Sequence, residues 1–294
     1  MKPAPFRYVA ARTLEQALQL KAEHGDEARF LAGGQSLVPT MNFRLTQPAM
    51  LIDINPLTEL AGIRAGAPAE PRQRIGALTR YRTLERSEAI ARHLPLIAEA
   101  LPHIAHPQIR NRGTIGGNLA HADPASEMPA IALALAGRLR AQSMRGERWI
   151  DAADFFVGAL TTALEPDEML TEVELPVAPA RSGSCFMEVS RRRGDFAIVG
   201  VACTVEVDGA GRCSAARIAL CNAGDGPVFA AAASESLIGT DLGAAAVSDA
   251  AALVQDAIDP GGSIHASKEF QRHVAGVLTG RALAKAKQRA VGEH

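Results

Sequence analysis

GTIGGNLAHADPASEMP, residues 113 to 129, sets Gly113, Gly116 and Gly117 ahead of a polar, acidic run. Glycine has no Cβ and tolerates positive φ, so a glycine pair lets another group come close to bare backbone. No lysine follows as in G-x-x-x-x-G-K-[ST], which disfavours a loop that cleaves nucleoside triphosphates. No G-x-G-x-x-G opens a helix in a βαβ unit either, which disfavours an ordinary doubly wound dinucleotide fold. A loop of the same make-up, AGGQS at 32–36, lies about 80 residues upstream, after the apolar run ARFL. In both loops consecutive N–H groups can converge on an oxyanion. The hydroxyls of Ser36 and Thr114 and the amides of Gln35 and Asn118 can add side-chain bonds. One ligand with two adjacent phosphates accounts for both loops. Cradling by backbone alone suits a pyrophosphate that is held rather than cleaved, as in FAD.

Asp123 and Glu127 are then candidate partners for ribose hydroxyls. A second reading stands beside that one: Asp123 caps a helix beginning near Pro124, since Asp-Pro is a good helix start. His121 lies inside the same segment, read as a hydrogen-bonded structural histidine ahead of a general acid or base. No catalytic residue is assigned.

Outward from these loops, elements alternate. Thr13-Leu-Glu-Gln16 is a capping-box pattern, and Gly25 stops the helix it opens. MLIDI (50–54) and QRIGALT (73–79) read as strands, with Thr79 placed to cap a short helix. PLIAEALPHI (95–104) has helical spacing, and PAIALALAG (129–137) is apolar throughout and therefore buried. MLTEVELP (169–176) alternates as a half-exposed strand does, ending at Pro176. Past a linker-like VAPARSGS, the segments FAIVGVACTVEV, DGAGR and CSAARIALCNAG form a hairpin, followed by alanine-rich helices at 247–257 and about 267–289. Strands with segregated helices predict an α+β fold.

The 294 residues suffice for two domains, and 31 basic against 32 acidic side chains give a net charge of −1, unlike a nucleic-acid binder. The opening MKPAPFRYVAARTLEQ lacks the apolar core of a signal peptide, and the longest apolar stretches are about half a membrane span. A cytoplasmic protein is expected. Cys185, Cys203, Cys213 and Cys221 form no C-x-x-C and read as apolar packing, so no metal site is expected. SRRRGD (190–195) is either a nucleotide- or partner-binding patch or a solvated strand end.

The chain resembles the FAD-binding medium subunit of the molybdenum hydroxylases, the family of carbon monoxide dehydrogenase medium chains and xanthine dehydrogenase FAD subunits. The likeness is carried by LAGGQSLVPTMNFRL, LIDI, PQIRNRGTIGGNLAHADPASEMPA, LEPDEMLTEVELP, FMEVSRRRGDFAIVGVA and SIHASKEFQRHVAGVLTGRAL, so it covers essentially the whole chain. It implies an FAD-binding domain at 1–176, built of two α/β subdomains (about 1–57 and 58–176), and a small C-terminal α+β domain at 177–294. It implies that Ala32, Gly33, Gly34, Gln35, Ser36 and Leu37 hold the FAD pyrophosphate together with Thr114, Ile115, Gly116, Gly117 and Asn118. Glu127 matches the family's acidic contact, Leu170 a backbone position near the flavin ring, and Ile104 an apolar ring neighbour. Met187 stands where xanthine dehydrogenase-type members carry lysine, a departure from their NAD-reducing site.

The implied role is electron transfer in a heterotrimer that pairs into a heterohexamer. A large subunit would carry molybdopterin and a small subunit two [2Fe–2S] clusters. A flavin joins one-electron and two-electron carriers, passing the electrons on to an external acceptor. A self-sufficient flavin oxidase and a non-catalytic nucleotide-binding scaffold are the alternatives. The substrate and acceptor are left open.

Overall fold

The computed structural model describes residues 2–66 and 71–292. Its first helix, Leu14–His24, is set by local chemistry. The Thr13 hydroxyl accepts from the Gln16 N–H at 3.1 Å, and Gln16 Oε1 accepts from the Arg12 N–H at 2.8 Å. Gly25, at φ +48°, ends it and donates its N–H to Lys21 O. This helix packs on a three-stranded parallel sheet of Arg7–Ala10 (β1), Ala28–Leu31 (β2) and Met50–Asp53 (β3), ordered β1–β3–β2. Ala17, Leu18, Met50 and Ile52 form its core.

The second sheet is antiparallel: Ile63–Ala65 (β4), Arg72–Gly76 (β5), Arg138–Ser143 (β6), Gly146–Asp151 (β7) and, beyond the hairpin Phe156–Gly158 (β8) with Thr161–Thr162 (β9), Met169–Pro176 (β10). The order is β4–β5–β10–β6–β7, so β10 is central. That place corrects the half-exposed reading of 169–176. Leu170, Val173 and Leu175 face the main core, and Glu172 and Glu174 are nearly as enclosed, at 2% and 1% exposed. Arginines from β4, β5 and β6 cover the two carboxylates. Arg64 and Arg140 reach Glu172, while Arg72, Arg74 and Arg138 reach Glu174, with Trp149 stacked among Arg74, Arg138 and Arg140. The polar half of the alternation is real, but guanidinium groups rather than water solvate it.

Desolvation pushes the Glu174 carboxyl upward, yet the bonds and charges of Arg138 and Arg74 together outweigh it and hold the group below its ordinary value of 4.5. A depressed folded value means that the stabilisation is complete above that pH and fades as acid protonates the folded carboxylate. Glu174→Gln is expected to cost about 2 kcal/mol at pH 7, less than a fully enclosed pair because the arginines reach water. Denaturant titrations at pH 7 and pH 3 should show the gap to wild type narrowing in acid; a constant gap would refute the assignment.

The C-terminal sheet runs Ser182–Ser190 (β11), Ala197–Val207 (β12), Cys213–Cys221 (β13) and Val228–Phe229 (β14), antiparallel and in chain order. The expected hairpin is β12–β13, closed at Asp208–Arg212 with Gly211 at φ +77°. Helices Ala231–Ser236 and Lys268–Ala290 cover one face, with Ala244–Ala257 packed on them from outside, and Pro95–Ala100 with Glu127–Ala134 cover the other. β12 is therefore apolar on both sides, with Val199, Val201, Cys203 and Val205 to one core and Ala197 and Ala202 to the other. All four cysteines lie in this sheet and are buried, and desolvation is the largest of the influences raising each thiol, Cys185 to about 11. Glu99 clasps the sheet to the rest of the chain, accepting from the Phe186 N–H at 3.1 Å, Lys285 at 3.0 Å and Arg289 at 2.7 Å.

Candidate functional site

β2 delivers Ala32 to a turn that only glycine suits. Gly34 sits at φ +72°. A Cβ on Gly33 would lie 2.4 Å from Arg112 O and 2.9 Å from Gly113 Cα, so the first loop is pressed against the second. Gln35 Nε2 donates to Gly33 O at 2.9 Å, and the helix Leu37–Asn42 follows. The N–H groups of Gly33, Gly34, Gln35, Ser36 and Leu37 find no acceptor among the described residues. Such a run of unspent donors binds anions.

The second loop is built differently. Thr114 caps the helix Ile115–His121, its hydroxyl accepting from the Gly117 N–H at 3.1 Å. Ile115 donates its N–H to Thr79 O at 3.1 Å, Gly116 to Ala77 O at 2.9 Å and Asn118 to Thr114 O at 3.1 Å. These amides are already used. A Cβ on Gly116 would lie 2.4 Å from Ala77 Cβ, so that glycine serves close packing. Gly117 differs: it is exposed, and its absent side chain would point between Thr114 Oγ1 at 2.8 Å and Ala32 Cβ at 3.6 Å. The Asn118 side chain is engaged with Ser126, donating at 2.7 Å and accepting at 2.9 Å. One loop thus supplies donors, and the other a bare glycine face beside them. Free N–H groups next to such a face are the chemistry that an oxyanion such as a pyrophosphate calls for.

Two residues that no sequence pattern singles out hold this arrangement. Asn55 Nδ2 donates to Ala32 O at 2.9 Å, and the Arg80 guanidinium donates both to Asn55 Oδ1 and to Arg112 O, bracing the two loops from behind. No local pattern signals Arg80, because its partners lie 25 and 32 residues away. Thr79, expected to cap the helix Tyr81–Glu85, instead exchanges bonds with Gly62 at 2.9 and 3.1 Å; Arg80 occupies the cap position.

Asp123 is no helix cap. Its Oδ1 accepts from the Ala125 N–H at 2.9 Å in a local turn, and the helix starts only at Glu127 because Ser126 is extended (ψ 141°). Glu127 is 5% exposed, and desolvation first, then the field of Glu188, pushes its carboxyl up to about 7 against its own N–H and His103. His121 is half-buried, makes no side-chain hydrogen bond among the described residues, and is held below the usual histidine range by desolvation. Ile104 and Leu170, each 5% exposed, belong to the main core, together with Phe186. In 190–195 the arginines turn on their own loop: Arg191 pairs with Asp195 at 2.7 Å, and Gly194, at φ +81°, packs on His106. Among the described residues no cluster of His, Cys, Asp and Glu could hold a metal, and no helix is long and apolar enough to cross a membrane.

Residues 4–178 match the family described as the FAD binding domain in molybdopterin dehydrogenase, and residues 184–286 match the CO dehydrogenase flavoprotein C-terminal domain. The chain is 44% identical to subunit alpha of the 6-hydroxypseudooxynicotine dehydrogenase complex of Paenarthrobacter nicotinovorans, covering 99% of this chain and 97% of that one. It is 39% identical to the caffeine dehydrogenase subunit beta of a Pseudomonas species, covering 99% and 98%. Among solved structures it is similar to a chain of the carbon monoxide dehydrogenase of Hydrogenophaga pseudoflava, determined lacking the Mo-pyranopterin moiety of its cofactor. The TM-score there is 0.95 at 36% identity, with 98% and 99% of the two chains covered.

Proposed function

The chain belongs to the FAD-binding flavoproteins of the molybdopterin dehydrogenases, an oxidoreductase subunit with FAD as its cofactor, and from that membership we propose that it relays electrons from iron–sulfur clusters on a partner to an external acceptor. FAD supplies the chemistry, since it exchanges electrons singly or in pairs. The chain's own residues bind and orient. The amides of Gly33 to Leu37 would hold the pyrophosphate, Gly117 would leave room for it, and the Thr114 hydroxyl would donate to it. Glu127 would face the hydroxyls of the cofactor, and Ile104 and Leu170 would flank its ring and keep water off. The observation that carries this reading is the run of five unspent N–H groups that begins just after Ala32, whose Cβ lies 3.6 Å from where a Gly117 side chain would begin. The proposed domains, 1–176 and 177–294, have support from the two matched stretches, which meet near that boundary.

The partners are a large molybdopterin subunit and a small [2Fe–2S] subunit, assembled as a dimer of heterotrimers. Substrate choice lies on another chain. In support, the relatives named for a nicotine derivative and for caffeine match this chain over nearly their whole length.

Purification from the native host tests this. One FAD per chain, an added iron–sulfur spectrum and two co-purifying partners, one large and one small, are expected. A lone yellow protein that oxidises a substrate by itself would overturn the relay and support the oxidase reading.

A further inference from the structure

Beside the glycine loops lies a buried polar cluster whose hydrogen-bonding capacity the chain leaves unspent. Glu188, on β11, has a side chain 2% exposed; His103 Nδ1 bonds its Oε1 at 3.2 Å, while Oε2 is buried with no partner among the described residues. Tyr81, 3% exposed, has a hydroxyl in the same state. Glu127 completes the group from the first turn of its helix. The four come from separate stretches: His103 touches Glu188, and Glu127 lies within electrostatic reach of Tyr81, Glu188 and His103. Asp123 and the Cys221 thiol also face Glu127, and Arg193 faces His103. The walls are apolar, with the Phe186 ring edge-on to His103 at 5.5 Å.

An orphaned buried acceptor is costly, more so when charged, so native structures keep few without a reason. Two carboxyl groups repel a pyrophosphate and attract hydrogen-bond donors. FAD carries such donors on its ribityl hydroxyls and on the ring imide N–H, the parts remote from the phosphates. Tyr81 ties the cluster to the second loop, donating its N–H to Gly113 O at 3.0 Å, with its ring 3.3 Å from where a Gly113 side chain would begin. A cofactor whose phosphates sit at the loops would reach the cluster with the part beyond them.

We propose that Glu188, oriented by His103, accepts a hydrogen bond from a donor on the ribityl chain or ring of bound FAD. Glu188 and His103 thereby join the binding site, His103 as a positioning residue. The inference rests on the FAD-binding reading above.

The test titrates the flavin-stripped full-length chain with FAD by fluorescence at pH 6, 7 and 8. Glu188→Gln should weaken binding at least about tenfold at every pH, with Tm read beside it to separate a lost contact from a lost fold. If Glu188→Gln fails to fold, His103→Asn reports the same contact by a severalfold weaker affinity. Wild-type affinity and pH profile in the Glu188 or His103 variant would overturn the inference and leave the FAD reading intact. A wild-type chain that takes up no FAD at any pH would overturn both.

Discussion

Gly117→Val should yield a folded protein that takes up almost no flavin. Gly117 is exposed and its N–H is bonded only to the Thr114 hydroxyl, so a side chain there meets no backbone wall. It does meet Thr114 Oγ1 and the space in front of Ala32, where the proposed pyrophosphate lies. Weakening the Thr114 cap should lower stability by about 1 kcal/mol. The branched side chain in the phosphate seat should cost about 3 kcal/mol or more of binding, a loss of at least about a hundredfold. Gly116→Val is the control, because its Cβ strikes Ala77 and should damage the fold instead. Flavin content after purification, read beside Tm, separates the two. A well-folded Gly117→Val protein with full flavin would exclude this loop from the cradle.

Gly183→Val should give the largest loss of stability. A Cβ at that position of β11 would lie 1.9 Å from Ala286 O and 2.7 Å from Ala290 N, both backbone atoms of the long helix Lys268–Ala290. Backbone cannot step aside as a side chain can, so strand and helix must separate. The separation spreads: the helix face built of Ala282, Ala286 and Ala290 loses its packing, and Arg289 is pulled from Glu99 and from Ser184 O. A cost above about 4 kcal/mol is expected, the range reserved for overpacked or disrupted cores. Thermal unfolding should fall by about 10 °C or more. A shift within about 2 °C would mean that the crossing has slack which the structure does not display.

Both predictions turn on features that differ in how far the sequence discloses them. Elements set by near neighbours are legible: the Thr13 cap, the helix at Pro95–Ala100 and the β12–β13 hairpin follow from spacing and turn chemistry. The partnership of two glycine loops is legible too, since their shared make-up points to one ligand. Sequence does not disclose how the work divides between them. Whether an amide is spent depends on what folds back onto it, and Ala77 and Thr79 come from another stretch. The same holds for Arg80, for the Gly62 bond that diverts Thr79, and for Glu172 and Glu174, whose alternation reads as solvent exposure until β10 is known to be central. Residues fixed by distant contacts are silent in a local pattern.

The four enclosed cysteines also make the protein a reporter of its own motions. An alkylating reagent needs an accessible thiolate, and each thiol is both walled in and held protonated. Labelling of the intact molecule can therefore proceed only through transient opening of the C-terminal sheet, with each cysteine timing the strand that bears it. The first 184 residues contain no thiol, so that clock hears nothing of the glycine loops. A single cysteine placed on the exposed surface near Gly117 would be the one fast-reacting site, giving a dye position at the proposed cofactor seat against a silent background.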